Sequence, residues 1–304
     1  MATLLSHVAE LYERISQLRD PRVNTLPLVQ ISHIIIIITL YLMFVYKWGP
    51  RFMRNRQPFQ IDNIVMVYNA LQVLGCALMV FYSSRKWIRE YKLFCQPVDR
   101  SNTPEAWEAI LLTYYYYLLK VADLFDTVFF VFRKKYSHIT FLHVYHHAGM
   151  IALIGGAVNF VPAGHGGSVG IINSFVHCFM YFYYFLTIYK PEYKENIWWK
   201  KYVTQLQIGQ FFIFVVHIGS VAVIQDCDYP VFAALIFLPQ NVFMLIMFID
   251  FYIKTYLKKS EEKRNEEKRN EEIENTENTK EKIGKVEEIV ANAKNGVILR
   301  NGHR

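Results

Sequence analysis

The chain has 304 residues, of which 53% are hydrophobic and 16% aromatic, and its formal net charge is +7 at pH 7. Its apolar residues come in long blocks rather than at periodic spacings, which argues against two soluble domains. A positive excess in a membrane protein typically marks cytoplasmic loops, so the charge does not require a nucleic-acid partner.

Apolar blocks close to the roughly 20 residues that cross a bilayer as a helix recur along the chain. Only helices and closed barrels satisfy their backbone in lipid, and these blocks are too long and too poorly alternating for barrel strands. The sequence therefore predicts an all-α membrane protein with seven transmembrane helices. The predicted spans are 31–46, 62–84, 107–131, 139–157, 168–189, 203–224 and 230–253.

Lys and Arg residues are distributed unevenly among the predicted loops. The loops after the first, third and fifth spans are basic, whereas 158–167 and 225–229 contain no Lys or Arg. The positive-inside rule then places the N-terminus outside the cytosol and the C-terminus inside it. The loop 85–106 is also basic and breaks the alternation. We expect no cleavable signal peptide, because the first thirty residues lack a continuous apolar core.

The composition changes near residue 258. Residues 1–257 contain all the predicted spans, whereas 258–304 include the charged near-repeat EEKRNEEKRNEE and almost no aromatic residues. This composition predicts a solvated cytosolic tail that is disordered or weakly helical.

The third predicted span contains ionisable residues, which are costly inside a membrane and therefore indicate function. Lys120, Asp123 and Thr127 share one helix face, and Asp126 lies to one side of it. The structural alternative is a salt bridge between Lys120 and Asp123 that lowers the cost of their burial.

The fourth predicted span begins with the pattern HxxHH, formed by His143, His146 and His147. Spacings of three and four place the three rings on one helix face, which favours a function over simple packing. Neutral imidazoles bind metals, and they also serve as nucleophiles or general bases. The pattern alone leaves both chemistries open.

The fifth predicted span contributes a fourth imidazole, from His177. The helix face that carries it also carries Asn173, Met180, Tyr181 and Tyr184. The sixth span opens with Thr204, Gln207 and Gln210. Buried amides of this kind either join helices to one another or belong to a site.

These motifs resemble, in the same order, those of the ELO family of very-long-chain fatty acid elongases. KVADLFDT at 120–127 is similar to the family's KxxExxDT motif, and HVYHH at 143–147 to its HxxHH motif. NSFVHCFMYFYY at 173–184 is similar to NxxxHxxMYxYY, and residues 204–210 to TxxQxxQ. The resemblance extends over most of residues 25–255.

The resemblance implies seven helices, six of them ringed around a narrow, closed-ended substrate tunnel. It implies that acyl-CoA and malonyl-CoA are condensed to 3-oxoacyl-CoA with release of CO2 and CoA, without a metal or other cofactor. The expected location is the endoplasmic reticulum membrane, with a lumenal N-terminus and the other enzymes of the elongation cycle as partners. One departure is Asp123, which stands where the family has glutamate and has the shorter side chain.

The resemblance also assigns catalytic roles to residues. His146 would be the nucleophile and would form an acyl-imidazole intermediate, with His177 close beside it. From the chemistry of the residues themselves, we expect His143 and His147 to orient or protonate groups and Asp126 to fix an imidazole tautomer.

The expected substrate-binding residues lie in the motifs and at the cytosolic ends of the spans. Basic residues there are suited to the CoA phosphates, although the positive-inside rule alone would also place them there. The expected set is Lys120, Arg133, Lys135, His138, Asn173, Tyr183, Lys200, Thr204 and Gln207.

The four cysteines fall into two pairs. Cys95 and Cys227 lie in loops predicted to face the oxidising lumen, and some family members bridge these loops, so the resemblance implies a disulfide. Cys76 and Cys178 lie within spans. Cys178 is an alternative nucleophile, but it projects about 100° away from His177 on the helix.

Two other classes of protein explain part of the pattern. A membrane di-iron desaturase or hydroxylase would need several histidine motifs, whereas this chain has one HxxHH. A transporter would explain charges within the spans but not the histidines, and we find no internal repeat that pairs the two halves of the chain.

Overall fold

The computed structural model describes residues 2–194, 197–224, 226–258, 261, 264–273, 276 and 280. The described residues form helices, turns and loops, with no β-strand among them, so the all-α prediction is confirmed. The chain divides into two compact units, Met1–Ile249 and Asp250–Arg304. The boundary predicted between residues 257 and 258 falls inside the second unit.

The helices of the first unit begin with α1 (Ala2–Gln17), which the sequence analysis did not predict, and α2 (Ile31–Met43). A π-helical turn, Phe44–Trp48, joins α2 to the short α3 (Gly49–Met53). The long helices that follow are α4 (Asp62–Glu90), α5 (Pro104–Phe132), α6 (Phe141–Phe160), α7 (Gly167–Tyr189), α8 (Ile197–Ser220) and α9 (Val231–Tyr252).

Six helical stretches among the described residues are long and apolar enough to cross a membrane. They are Ile31–Met53, Asp62–Glu90, Phe141–Phe160, Gly167–Tyr189, Trp199–Ser220 and Val231–Lys258. The remaining predicted span, 107–131, lies within α5, which is 29 residues long. Lys120, Asp123 and Asp126 place three charged residues in the middle of α5.

Side-chain caps determine where two of the site helices begin. Thr103 precedes α5 and accepts a hydrogen bond from the backbone N–H of Ala106 at 3.3 Å. Thr140 precedes α6 and accepts one from the backbone N–H of His143 at 3.2 Å. Threonine at this position satisfies an otherwise unpaired helix N–H. The cap at Thr140 therefore places the HxxHH residues in the first two turns of α6.

The sixth predicted span, about 203–224, starts within α8 but extends past the end of that helix. The helix begins earlier, at Ile197, and ends at Ser220, after which residues 221–224 form a turn. The Ser220 hydroxyl donates to the carbonyl of His217 at 2.7 Å, a local bond that competes with continued helix. The predicted span runs past the helix because it was placed by hydrophobicity and residues 221–224 are apolar.

The long helices pack in a definite order. Helix α4 packs along α7, α5 along α6, α2 along α6, and α8 along α7. Tyr117, Ile151 and Val158 are fully buried where α2, α5 and α6 meet. This packing brings the faces of α5, α6 and α7 that carry the motif residues toward one another.

The described part of the charged tail is helical. Residues 264–273 form helix and are exposed. The rest of the predicted tail, including residues 281–304, lies outside the described residues.

Candidate active site

Lys120 of α5 is buried and donates hydrogen bonds to three side chains. Its Nζ lies 2.6 Å from Asp123 Oδ2, 3.0 Å from Asn173 Oδ1 and 3.3 Å from His177 Nδ1. An ammonium group carries three hydrogens, and these contacts use all of them. One face of α5 and one face of α7 therefore meet at this nitrogen.

Asp123 is buried and accepts hydrogen bonds from three helices. Besides Lys120, Gln72 Nε2 of α4 lies 2.7 Å and the Tyr181 hydroxyl of α7 lies 2.9 Å from its Oδ1. Its Oδ2 is 3.6 Å from His177 Nδ1. The salt bridge weighed as a structural alternative is present, and it also borders an imidazole. Although aspartate is shorter than the glutamate of the family motif, Asp123 accepts hydrogen bonds from α4, α5 and α7.

Asp126 contacts a tyrosine where an imidazole was expected. Its Oδ2 lies 2.7 Å from the Tyr181 hydroxyl. The side chains that contact the His177 ring nitrogen are Lys120 and Asp123, on the neighbouring face of α5. Among the described residues, no direct contact between Asp126 and an imidazole supports its expected role in fixing a tautomer.

The three histidines of α6 lie next to one another. The ring centroids of His143 and His147 are 4.3 Å apart, and those of His146 and His147 are 5.5 Å apart. His143 Nε2 lies 2.8 Å from Thr127 Oγ1, whose hydroxyl is 2.9 Å from that of Tyr41. The last motif residue of α5 thereby holds the first histidine of α6.

His146 lines a cavity of about 20 Å³. The other polar side chains that line this cavity are Asn173, Gln210, Gln240 and Asn241. Asn173 also contacts Lys120, and its Nδ2 donates to Gln210 Oε1 at 3.2 Å, so the cavity adjoins the Lys120 cluster. Its remaining wall is apolar, with Met150, Phe211 and Phe214 among the lining residues.

A second cavity, of about 130 Å³, lies toward the opposite ends of α4, α6 and α7. Ile154, Val169 and Phe237 line both cavities. Along α6 the lining residues run from His146 through Ile154 to Val161, the residue that follows the end of the helix. The two cavities therefore follow one another along α6 and are separated by these three shared side chains.

The expected phosphate-binding residues come together beyond the N-terminal end of α6. The pKa of His138 is lowered from its ordinary value by burial and by the positive charges of Lys135, Lys200 and Arg133. Arg133 also forms an ion pair with Asp62 at 2.5 Å, so part of its charge is compensated. Lys200 is exposed.

The other expected substrate-binding residues lie where α7 and α8 meet. Gln207 Nε2 lies 3.6 Å from the sulfur of Met180, and Thr204 Oγ1 donates to the carbonyl of Lys200 at 3.1 Å. Tyr183 is buried, with its ring 5.9 Å from that of Tyr184. The Gln207 contact fits the alternative in which the polar residues of α8 join helices, whereas the Thr204 bond lies within α8.

Four polar residues near the site were missing from the predicted set. Gln72 of α4 holds Asp123, Tyr68 of α4 lies beside Tyr181, and Gln240 and Asn241 of α9 line the cavity of His146. Each is a polar residue inside a predicted apolar span. The criterion that identified Lys120, if extended from ionisable residues to all polar residues within a span, could have found them.

The opposite end of the helices is cross-linked. Cys95, between α4 and α5, is bonded to Cys227, between α8 and α9, with the Cα atoms 5.7 Å apart. This is the pair implied by the family resemblance. Nearby, Arg22 Nη2 contacts Asp20 Oδ2 at 2.6 Å and the Asp99 carbonyl at 2.8 Å. We call this end the disulfide end, and the end beyond the N-terminus of α6 the histidine end.

The chain matches the model of the GNS1/SUR4 (ELO) family over residues 26–264. It is 38% identical over 243 residues to very long chain fatty acid elongase 7 of Drosophila melanogaster, covering 79% of this chain and 74% of the relative. The elongase 7 of Rattus norvegicus is 37% identical over 263 residues, covering 84% and 92%. Elongase 1 of Homo sapiens is 35% identical over 255 residues, covering 83% and 91%.

The chain belongs to the ELO family of very-long-chain fatty acid elongases. Membership supports a role in fatty acid elongation, on a multi-pass membrane protein with acyl-CoA substrates.

Proposed function

We propose that this protein catalyses the condensation step of elongation. One acyl-CoA and one malonyl-CoA react, with uptake of a proton, to give 3-oxoacyl-CoA, CO2 and free CoA. The observation that carries this proposal is His146 at the wall of a largely apolar cavity, with Asn173 and the Lys120 cluster alongside it. An apolar pocket with a few convergent polar groups suits an acyl chain whose reactive end must be oriented.

His146 is the proposed nucleophile. Attack of an imidazole nitrogen on the thioester carbonyl forms an N–C bond and expels CoA as a thiolate, which takes up a proton. Malonyl-CoA then loses CO2, and its α-carbon attacks the acyl carbon and frees the imidazole. This route divides one condensation into two acyl transfers. His177 and Asn173 would orient the reacting groups, and His143 and His147 would support the position of His146.

The acyl chain would follow the two cavities along α6. His146 and Val161 are 15 residues apart, which at 1.5 Å per residue is about 22 Å of helix. An extended chain of single bonds advances about 1.2 Å per bond, so an acyl chain of about 18 carbons spans this length. The helices around this path would form the closed-ended tunnel that the resemblance implies.

The CoA portion would lie at the histidine end. The positive charges of Lys135, Lys200 and Arg133 surround His138 there, and phosphates bind favourably to such groups. Because CoA is a cytosolic substrate and disulfides persist in oxidising compartments, we place the histidine end in the cytosol and the disulfide end in the lumen of the endoplasmic reticulum.

This orientation requires seven membrane crossings. They are the six apolar helical stretches and α5, which is the third span in chain order. The pairing of Lys120 with Asp123 lowers the cost of α5 in lipid. Glycosylation acceptors engineered at 158–167 should be modified, and acceptors at 132–138 should not. Modification at 132–138 would contradict the orientation but would not contradict the proposed condensation reaction.

The activity is tested directly with purified protein, labelled malonyl-CoA and a panel of acyl-CoAs. Condensation should yield labelled 3-oxoacyl-CoA and CO2 in equal amounts, and chelators should not reduce the rate. Loss of activity on iron removal would favour the di-iron alternative. Flux through proteoliposomes without malonyl-CoA turnover would favour a transporter.

A further inference from the structure

We propose that Asp126 is held as a neutral carboxylic acid that donates its hydrogen to the Tyr181 oxygen. Through Tyr181, Asp123 and Lys120 it would act as a positioning residue for His177. The protonation state follows from hydrogen-bond geometry and charge balance, whereas the catalytic consequence rests on the proposed function.

The Tyr181 hydroxyl lies between two carboxyl groups. Its oxygen is 2.9 Å from Asp123 Oδ1 and 2.7 Å from Asp126 Oδ2, both hydrogen-bond distances. A phenol has one hydrogen and can donate to only one of these oxygens. The second contact becomes a hydrogen bond only if the other carboxyl group carries a hydrogen and donates it to the phenol oxygen.

No other neighbour supplies that hydrogen. The Tyr68 hydroxyl, 3.4 Å from that of Tyr181, donates to the carbonyl of Ala122 at 3.1 Å. Gln72 Nε2 has two hydrogens, and its contacts with Asp123 Oδ1 at 2.7 Å and with Tyr68 at 3.1 Å use both. The Tyr68 hydroxyl is also within hydrogen-bonding reach of Asp126, but it cannot place a hydrogen between the Tyr181 oxygen and either carboxyl oxygen, so that hydrogen must come from one of the two carboxyl groups.

Charge balance identifies Asp126 as the neutral group. Asp123 accepts from the Lys120 ammonium and from Gln72, so its ionised form is compensated. Asp126 has no cation among the ion pairs of the described residues. A second carboxylate beside Asp123 would be an uncompensated charge within the helices, which is strongly unfavourable.

The hydrogen on Asp126 fixes the direction of the bonds that lead to His177. When Asp126 donates to Tyr181, the hydroxyl hydrogen of Tyr181 points to Asp123. Asp123 in turn accepts from the Lys120 ammonium group and so holds it between α5 and α7. The third Lys120 hydrogen points to His177 Nδ1. The proton of a neutral His177 then resides on Nε2, where it can serve as a donor to the reacting groups.

Infrared difference spectroscopy tests the protonation state on the purified full-length protein. The spectrum of wild type minus Asp126→Asn should show a carboxylic acid carbonyl band that shifts in D2O. The matched Asp123→Asn difference should show carboxylate bands. Carboxylate bands from Asp126 would overturn the proposal, and this readout does not depend on elongase activity.

Steady-state kinetics test the positioning role. Asp126→Ala should lower kcat by about tenfold or more, the loss of a hydrogen bond in a buried network, with KM little changed. Asp126→Asn should recover most of this loss, because a neutral amide also donates to Tyr181. Asp123→Asn should have a kcat as low as that of Asp123→Ala, because the negative charge of Asp123 is required at this position. If Asp126→Asn lowers kcat as much as Asp126→Ala does, the positioning role of Asp126 is overturned. If the wild-type protein has no condensation activity, the proposed function is contradicted instead.

Discussion

Lys120 Nζ and Asp123 Oδ2 lie 2.6 Å apart, and both side chains are no more than 3% exposed. Lys254 and Asp250 form a pair of the same residue types at 2.7 Å, but with side chains 64% and 49% exposed. Removing one member of a buried pair leaves an unpaired charge, whereas an exposed pair contributes little because water screens it. The two pairs therefore provide a matched comparison.

We predict that Lys120→Met lowers the free energy of unfolding by about 3–5 kcal/mol. Lys254→Met should change it by less than about 1 kcal/mol. Thermal or denaturant unfolding of the detergent-purified protein measures both. The double variant Lys120→Met with Asp123→Leu should be more stable than Lys120→Met alone, because no unpaired charge remains. Equal effects at positions 120 and 254 would contradict the burial of the first pair.

The disulfide should stabilise the fold without taking part in the chemistry. Cys95 and Cys227 are separated by 132 residues, and closing a loop of this length restricts the unfolded chain by about 2–5 kcal/mol in simple models. Cys95→Ser should therefore lower the unfolding temperature and leave acyl transfer by His146 largely intact. Cys178→Ser, at a free thiol, is the control. Labelling of Cys95 and Cys227 without prior reduction would show that the bridge is absent.

The sequence predicts the parts of the site that depend on helix periodicity. Length and hydrophobicity identify the spans, and spacings of three and four place Lys120 with Asp123 and Asn173 with His177 on shared faces. The resemblance supplies the pairing of Cys95 with Cys227, which no periodicity could give.

Contacts between distant helices are not encoded in local spacing. Gln72 reaches Asp123 across 51 residues of chain, and Tyr181 bridges Asp123 and Asp126 across more than 50. The role first expected for Asp126 depended on which helix faces it, and only the packing of α5 against α4 and α7 reveals that neighbour. Hydrophobicity likewise cannot locate the end of α8, because the turn after Ser220 is itself apolar.

The larger cavity should determine how long an acyl chain the enzyme accepts. Gly170 lines it, and a Cβ there would lie 3.0 Å from Met79 Cε and 3.4 Å from Tyr116 Cγ. Gly170→Leu should therefore occupy the cavity beyond Ile154. His146 and Ile154 are eight residues apart on α6, about 12 Å, which about 10 carbons span.

Turnover of an 18-carbon acyl-CoA by Gly170→Leu should fall far more than turnover of a 10-carbon acyl-CoA. The control is Gly209→Leu on α8, where a Cβ meets no atom within 4 Å. Product distributions measured by mass spectrometry decide between the outcomes. Equal loss for both chain lengths would contradict the proposed path of the acyl chain along α6.

The most direct test of the account is the intact mass of the protein after incubation with acyl-CoA alone. We predict release of free CoA and a mass increase of one acyl group, located on His146 by peptide mapping. His146→Ala should abolish this adduct, and Cys178→Ala should retain it. An adduct that persists in His146→Ala and disappears in a folded Cys178→Ala would contradict the account and transfer the nucleophile to the thiol.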